Sequence, residues 1–209
     1  MKHNFFLALI LFGCMLSLPV SAQENQTIFN SAGIKHSSGY GAVSNKFTTI
    51  NGYFANMPEV YGGWFINRSF MIGLEGAATT NYIPVPLDKQ DWNGTKMTYQ
   101  YGQFGLMMEY VIASDRKVHL NLNLMTGTGF LLQYDRDDFS DWHFEDHDVN
   151  THFFLVLEPG AQLEFNFLKW MRFSPGVSYR RVFNSQASGL SDNDLSGFSG
   201  NLTLKFGRF

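Results

Sequence analysis

The chain has 209 residues, with 15 Lys and Arg against 18 Asp and Glu and a formal net charge of −3, a balance that excludes nucleic acid as an expected partner. Charged residues make up 16% of the sequence and aromatic residues another 16%, including 21 Phe. Soluble domains carry about 25% charge, so an ordinary water-exposed surface is hard to build from this composition.

The first residues, MKHNFFLALILFGCMLSLPVSA, place Lys2 and His3 before a short apolar run that ends on the small residues Val20-Ser21-Ala22. This is the layout of a signal peptide cleaved after Ala22. The run is short for an N-terminal membrane anchor. It also continues past Cys14, which argues against Leu11-Phe12-Gly13-Cys14 as a lipoprotein site. Cleavage would remove the only cysteine, leaving no disulfide and no thiol for catalysis or metal. Of the 15 basic residues only Lys2 lies in that segment, so 14 would remain against 18 acids. Residues 23–35 are polar and lack alternation, and are read as an N-terminal periplasmic segment before a barrel domain at 36–209, with a plug or part of the first strand as the alternatives. After the signal no apolar run is long enough for a transmembrane helix.

From there on, apolar and polar residues alternate at period two between clusters of Gly, Pro, Asn and Asp. The pattern predicts strands at 37–49, 53–66, 69–82, 97–112, 117–133, 149–167, 171–184 and 195–209. Connections after the second, fourth and sixth strands are tight, centred on Asn67-Arg68, Ser114-Asp115 and Lys169-Trp170. Those after the third, fifth and seventh are long: IPVPLDKQDWNG, YDRDDFSDWHFEDHD and NSQASGLSDND. The connection INGY after the first is short and breaks the scheme. Short turns at one rim and longer loops at the other describe an outer-membrane barrel. The predicted fold is all-β, an eight-stranded antiparallel up-and-down transmembrane β-barrel.

The stretch VHLNLNLMTGTGFLLQ shows what is at stake. Val118, Leu120, Leu122 and Leu124 share one face, and His119, Asn121, Asn123 and Met125 the other. If the apolar rows turn inward, the chain is a secreted soluble ligand-binding barrel; if they meet lipid, it is a membrane protein. The second face decides for lipid, because it holds Gly, Ser, Asn, Gln and Met with about one charge per strand, too few for a solvated exterior. Outward aromatics cluster near both rims, with Trp64, Phe70, Tyr110, Phe167, Trp170 and Phe173 by the short turns and Tyr82, Phe130 and Phe153 by the long loops.

Eight strands enclose a space that side chains just fill, so a plugged interior is expected. The inward charges fit it: Glu75, Glu109, Glu158 and Glu164 are matched by Lys46, Arg172, Arg180 and Lys205. The predicted turns set Glu158 opposite Arg180, Glu164 diagonal to Arg172 and Glu109 opposite His119. As a compensated network these charges let polar side chains fill the lumen. As a constriction they would select solutes, which gives the alternative of a narrow channel or hydrophobic-solute transporter.

The loop DRDDFSDWHFEDHDVNTH is the candidate for metal chemistry. Asp137, Asp138 and Asp141 are hard oxygen donors suited to Ca²⁺, and His143 with His147 suit a transition metal. HFEDH is not the metalloprotease HExxH, since its Glu stands one place late. A solvated loop explains the same residues without a metal, and no cofactor is expected. A lipid-modifying outer-membrane enzyme would use His152 beside this loop, but no nucleophile pairs with it by spacing, so the chain is expected not to be an enzyme.

The ending GFSGNLTLKFGRF, with Leu202, Leu204, Phe206 and the last residue Phe209, resembles the C-terminal assembly signal of outer-membrane barrels. Phe209 is out of phase with the other three, and a bulge at Gly207 would restore it. Across residues 36–209 the pattern resembles the small eight-stranded barrels of the OmpA transmembrane domain and OmpX class. KFTTINGYF followed by YGGWFINRSFMIGLEG resembles uncharacterised barrels of Bacteroidetes-type bacteria, a likeness that brings no activity with it. The resemblance implies the outer membrane of a Gram-negative bacterium, with outer-membrane lipid and the barrel assembly machinery as partners. It also implies a structural, adhesive or envelope-contact role toward an unidentified envelope protein or extracellular ligand.

Overall fold

Strands form where Val, Ile, Phe, Tyr and Thr alternate with small polar residues, and they stop where the sequence supplies backbone that no strand can use. The computed structural model describes residues 33–90, 97–135, 151–185 and 189–209. The signal at 1–22, most of the segment at 23–35, and the metal candidates Asp137, Asp138, Asp141, His143 and His147 lie outside the described residues. Eight strands are present: β1 (Ser37–Ile50), β2 (Tyr53–Ile66), β3 (Phe70–Ala78), β4 (Met97–Ile112), β5 (Val118–Asp135), β6 (His152–Leu168), β7 (Met171–Phe183) and β8 (Gly197–Gly207). Each pairs antiparallel with the next, and β8 returns to β1, closing the barrel. The all-β, eight-stranded up-and-down architecture is the one the alternation predicts.

Register sorts the connections by rim. Ser37 at the start of β1 pairs with Ile66 at the end of β2, and Gly207 at the end of β8 pairs with Tyr40. The turns after β2, β4 and β6 therefore share one rim with the start of β1 and the end of β8. The connections after β3, β5 and β7 share the other, and so does the short Asn51-Gly52 turn. INGY is thus the exception the sequence shows, one tight hairpin among the long loops. Asn51 and Gly52 have φ of 51° and 77°, the left-handed pair that a two-residue hairpin turn requires and that Asn-Gly supplies at least cost. Asn67 and Arg68 repeat the geometry at the opposite rim, with φ of 52° and 57°. There the Asn67 carboxamide accepts the Lys35 and His36 N–H groups at 2.8 and 3.2 Å, tying the incoming chain to the turn.

The structure departs from the alternation in two places. Strand β3 ends at Ala78 because the Asn81 side chain takes over the pairing of β2: its oxygen accepts the Asn56 N–H at 2.7 Å and its NH₂ donates to the Phe54 carbonyl at 2.8 Å. The chain then turns back along β4, where the Tyr99 N–H donates to the Ile83 carbonyl and the Val85 N–H to the Met97 carbonyl. Before β8, residues Asp192–Leu195 form a single helical turn, α1, closed by a reciprocal capping box between Ser191 and Asp194. Leu195 and Leu190 are buried beneath it, with Ile50 and Ile83.

The barrel is inverted relative to a soluble protein. Large apolar side chains stand exposed on every strand: Leu74 at 68%, Val60 at 62%, Leu155 at 63% and Phe198 at 77%. Among the described strand residues that face outward, Arg181 is the one charge. Inside lie Lys46, Glu59, Glu75, Glu109, Glu158, Glu164, Arg172, Arg180 and Lys205, all buried. Close strand approach on the inner face is made possible at Gly63 and Gly73, which face each other across β2 and β3. A Cβ on either would collide with the other strand's backbone.

Candidate functional site

The candidate site is the charged interior. Parity fixes which side chains enter it, because successive residues of a strand point to opposite faces. Two clusters result. In the first, Lys46 on β1 directs its ammonium at three carboxylates: Glu59 Oε1 at 2.7 Å, Glu75 Oε1 at 3.0 Å and Glu158 Oε1 at 3.0 Å. Glu158 also accepts from Ser178 Oγ at 2.6 Å and Gln103 Nε2 at 2.8 Å. Gln103 in turn donates to Glu75 at 3.1 Å and accepts the Tyr101 hydroxyl at 2.9 Å. Six strands, β1, β2, β3, β4, β6 and β7, are joined across the lumen in this way.

The second cluster lies toward the short turns. Lys205 Nζ reaches both oxygens of Glu109, at 2.8 and 2.9 Å, and also bonds Glu164. Glu109 accepts the hydroxyls of Tyr61, at 3.0 Å, and of Tyr40. Glu164 accepts from His119 Nε2 at 2.8 Å, Asn121 Nδ2 at 2.7 Å and Arg172 Nη1 at 3.0 Å. Every strand except β3 contributes. An unpaired charge in such an interior costs several kcal/mol, on the order of 3–5 when one partner of a buried pair is lost, so each ion here is held by opposite charge or by several donors.

Three details differ from the sequence-based pairings. Glu109 stands opposite Asn123 rather than His119, because the β4–β5 connection runs through Ala113–Lys117; on its β6 side His119 stands opposite Glu164. Ala113 takes a left-handed φ of 57° and its carbonyl accepts the Arg116 N–H. Arg180 does not ion-pair with Glu158. Its Nε donates to the Leu195 carbonyl at 2.7 Å and its Nη2 to the Thr49 carbonyl at 3.1 Å, and its guanidinium lies 4.7 Å from the centre of the Tyr101 ring. The β6–β7 register does set Arg180 opposite Glu158, and it is the Leu195 carbonyl of the helical turn α1 that takes the guanidinium instead. Glu59 is the third difference. It is a full member of the Lys46 cluster that sequence reading passed over, although β2 parity puts it in line with Ala55, Met57 and Tyr61.

The end of the chain is arranged in two ways. Leu202, Leu204 and Phe206 face outward and are exposed. Strand β8 keeps unbroken register with β7 to Phe206 and with β1 to Gly207, and Phe209 turns inward instead of rejoining the outer row. Its ring lies 3.9 Å from the Arg172 guanidinium carbon and packs against Tyr40 and Phe65, at centroid distances of 5.3 and 6.4 Å. The bulge that would have restored the phase is not formed there.

Among the described residues no group of three or more His, Cys, Asp or Glu side chains is arranged to hold a metal ion; where three carboxylates do converge, the Lys46 ammonium occupies the centre. A gap of about 10 Å³ beside Lys46 has room for a single water. His152 begins β6, paired with Leu131.

This closed eight-strand sheet with a polar, ion-paired inside matches solved structures. Neisserial surface protein A superposes with a TM-score of 0.58 at 7% identity, covering 81% of this chain and 96% of that one. The N-terminal β-barrel domain of Pseudomonas aeruginosa OprF gives 0.50 at 10% identity, with 81% and 96% coverage. The fold is that of the small outer-membrane barrels. At such identities the likeness speaks to the fold alone. No protein-family model matches the chain, and no curated protein matches it significantly.

Proposed function

We propose that the chain is an integral outer-membrane protein of a Gram-negative bacterium with a non-enzymatic role: structural, adhesive or in contact with another envelope component. The observation that carries this reading is the outer face. Its exposed Leu, Phe, Val, Ile and Tyr side chains run around the whole barrel with Arg181 as the one charge among the described outward strand residues, and only hydrocarbon makes such a surface stable. Residues 1–22 then act as the export signal and 23–35 as a periplasmic segment. The short-turn rim faces the periplasm and the long loops face outward. The outward row of Leu202, Leu204 and Phe206 is the part of β8 offered to the barrel assembly machinery.

The interior is read as plugged. Both ion clusters span the lumen, Leu190 and Leu195 are buried at the long-loop end, and Phe209 covers Arg172 at the other. Planar-bilayer recording tests this directly. The expected result is no large stable opening in the unmodified protein, with transient openings more frequent in Glu158→Gln, which removes one wall of the Lys46 cluster. Large steady conductance in the unmodified protein would replace the plugged reading with a channel.

A further inference from the structure

The rim that carries the short turns is cationic in a way the barrel wall is not. Lys35 precedes β1, Arg68 lies in the β2–β3 turn, Arg116 and Lys117 in the β4–β5 turn, Lys169 in the β6–β7 turn, and Arg208 follows β8. All six are exposed, and Asp115 is the one acid beside them among the described residues. None of the six forms an ion pair among the described residues. Turn geometry does not ask for this charge. Arg68 even occupies a left-handed backbone position, φ 57°, where Gly or Asn would be less strained.

Between these turns opens a cavity of about 620 Å³. Its lining is divided: Arg68, Lys169 and Arg172 bring positive charge, Phe167 and Leu168 bring apolar surface from the barrel wall, and Asp115 is the acid among them. Arg172 is buried, and its guanidinium is only partly used. Nη1 donates to Glu164 at 3.0 Å and Nη2 to the Ser114 carbonyl at 3.5 Å, while Nε is buried with no acceptor. Arg172 therefore lends the cavity positive charge from beneath the Phe209 ring, and the two exposed cations, Arg68 and Lys169, are the ones that can reach an anionic oxygen inside it.

We propose that this cavity binds the headgroup phosphate of an anionic phospholipid, with Arg68 and Lys169 taking the phosphate, Arg172 adding positive charge from beneath Phe209, and Phe167 and Leu168 lying along the lipid's apolar part. The proposal rests on the outer-membrane reading above, which places this rim at the periplasmic leaflet. A phospholipid fits better than a soluble anion because the charged and apolar walls meet at the level where headgroup gives way to hydrocarbon, and juxtamembrane Lys and Arg are attracted to anionic headgroups.

Native mass spectrometry of the micelle-embedded protein tests it, with phosphatidylglycerol and phosphatidylcholine of equal chain length as probes. The protein is expected to retain phosphatidylglycerol roughly thirtyfold better than phosphatidylcholine, the scale expected of two cations near an anionic surface. The double variant Arg68→Gln/Lys169→Gln should lose that preference. Lys89→Gln at the opposite rim should keep it, and heat-modifiable gel migration verifies that each variant is folded. Arg116→Gln/Lys117→Gln, which leaves the cavity walls intact, should keep most of the preference, and the single variant Lys169→Gln, expected to lose part of it, serves if the double variant fails to fold. Equal retention of the two lipids overturns the proposal. So does complete displacement of phosphatidylglycerol by millimolar inorganic phosphate, which would mark a plain anion site. A protein that folds in buffer without detergent, a result seen before any lipid is added, overturns the membrane reading itself.

Discussion

Glu164 shows how much a single interior side chain carries. Its two oxygens serve Lys205, Arg172, His119 and Asn121 at once, so removing its charge leaves two cations facing each other in a buried space. Glu164→Ala is expected to lower stability by about 3–5 kcal/mol, read as a shift of the urea-unfolding midpoint in lipid vesicles with an unchanged slope. Removing a matched pair, Glu109→Gln with Lys205→Met, should cost less than the sum of the two single changes, because no charge is then left alone. Equal losses for Glu164→Ala and for an exposed change such as Lys117→Gln would refute the strut role. The burial of these residues was legible in the sequence from parity alone. Of their partners, Arg172 beside Glu164 was legible, because the turn at Lys169-Trp170 fixes it; His119 opposite Glu109 was not, because the β4–β5 connection is longer than a two-residue turn and sets Asn123 there. Glu59 was missed although its parity is clear, since reading each strand's inner row from its most regular stretch passes over a residue next to Pro58.

At the scale of the element, α1 is where local chemistry overrides strand patterning. The Ser191-x-x-Asp194 spacing is a capping box, present in the sequence as SDND but hidden among loop residues and too short to show helical periodicity. The turn matters because its Leu195 carbonyl holds Arg180 and the Asp194 carbonyl accepts the Asn51 N–H at 2.8 Å, linking two connections of the long-loop rim. The Ser191 backbone N–H, at 2.8 Å, and its hydroxyl, at 2.7 Å, hold the Asp194 carboxyl below the usual aspartate range. A carboxyl so lowered contributes stability that is complete above its unfolded value, about 3.9, and that is lost as pH falls through the folded value. Hydrogen exchange at Ser191 and Asn51, corrected for its intrinsic pH dependence, should therefore quicken as pH drops below about 4. Asp194→Asn should exchange faster at neutral pH and show little further change on acidification. Protection that stays constant through this range would contradict the capping role.

The whole molecule follows from one partition: apolar rows outward, ions inward. Strand number, pairing order and the separation of short turns from long loops were all legible, because two-residue periodicity and turn residues are local signals that survive in the sequence. Phe209 was not legible as an inward residue. Only the closed barrel, with Tyr40, Phe65 and Arg172 brought to one mouth, offers its ring a place to pack. The partition itself can be measured. Cys14 is the only cysteine in the sequence, so a chain beginning at Gln23 accepts a single fluorophore at Leu74→Cys or Leu157→Cys without background. In vesicles, nitroxide-bearing lipids should quench these probes strongly while aqueous iodide leaves them untouched. Quenching by iodide and not by the lipid nitroxide, from a chain that stays monomeric and folded in plain buffer, would contradict the account.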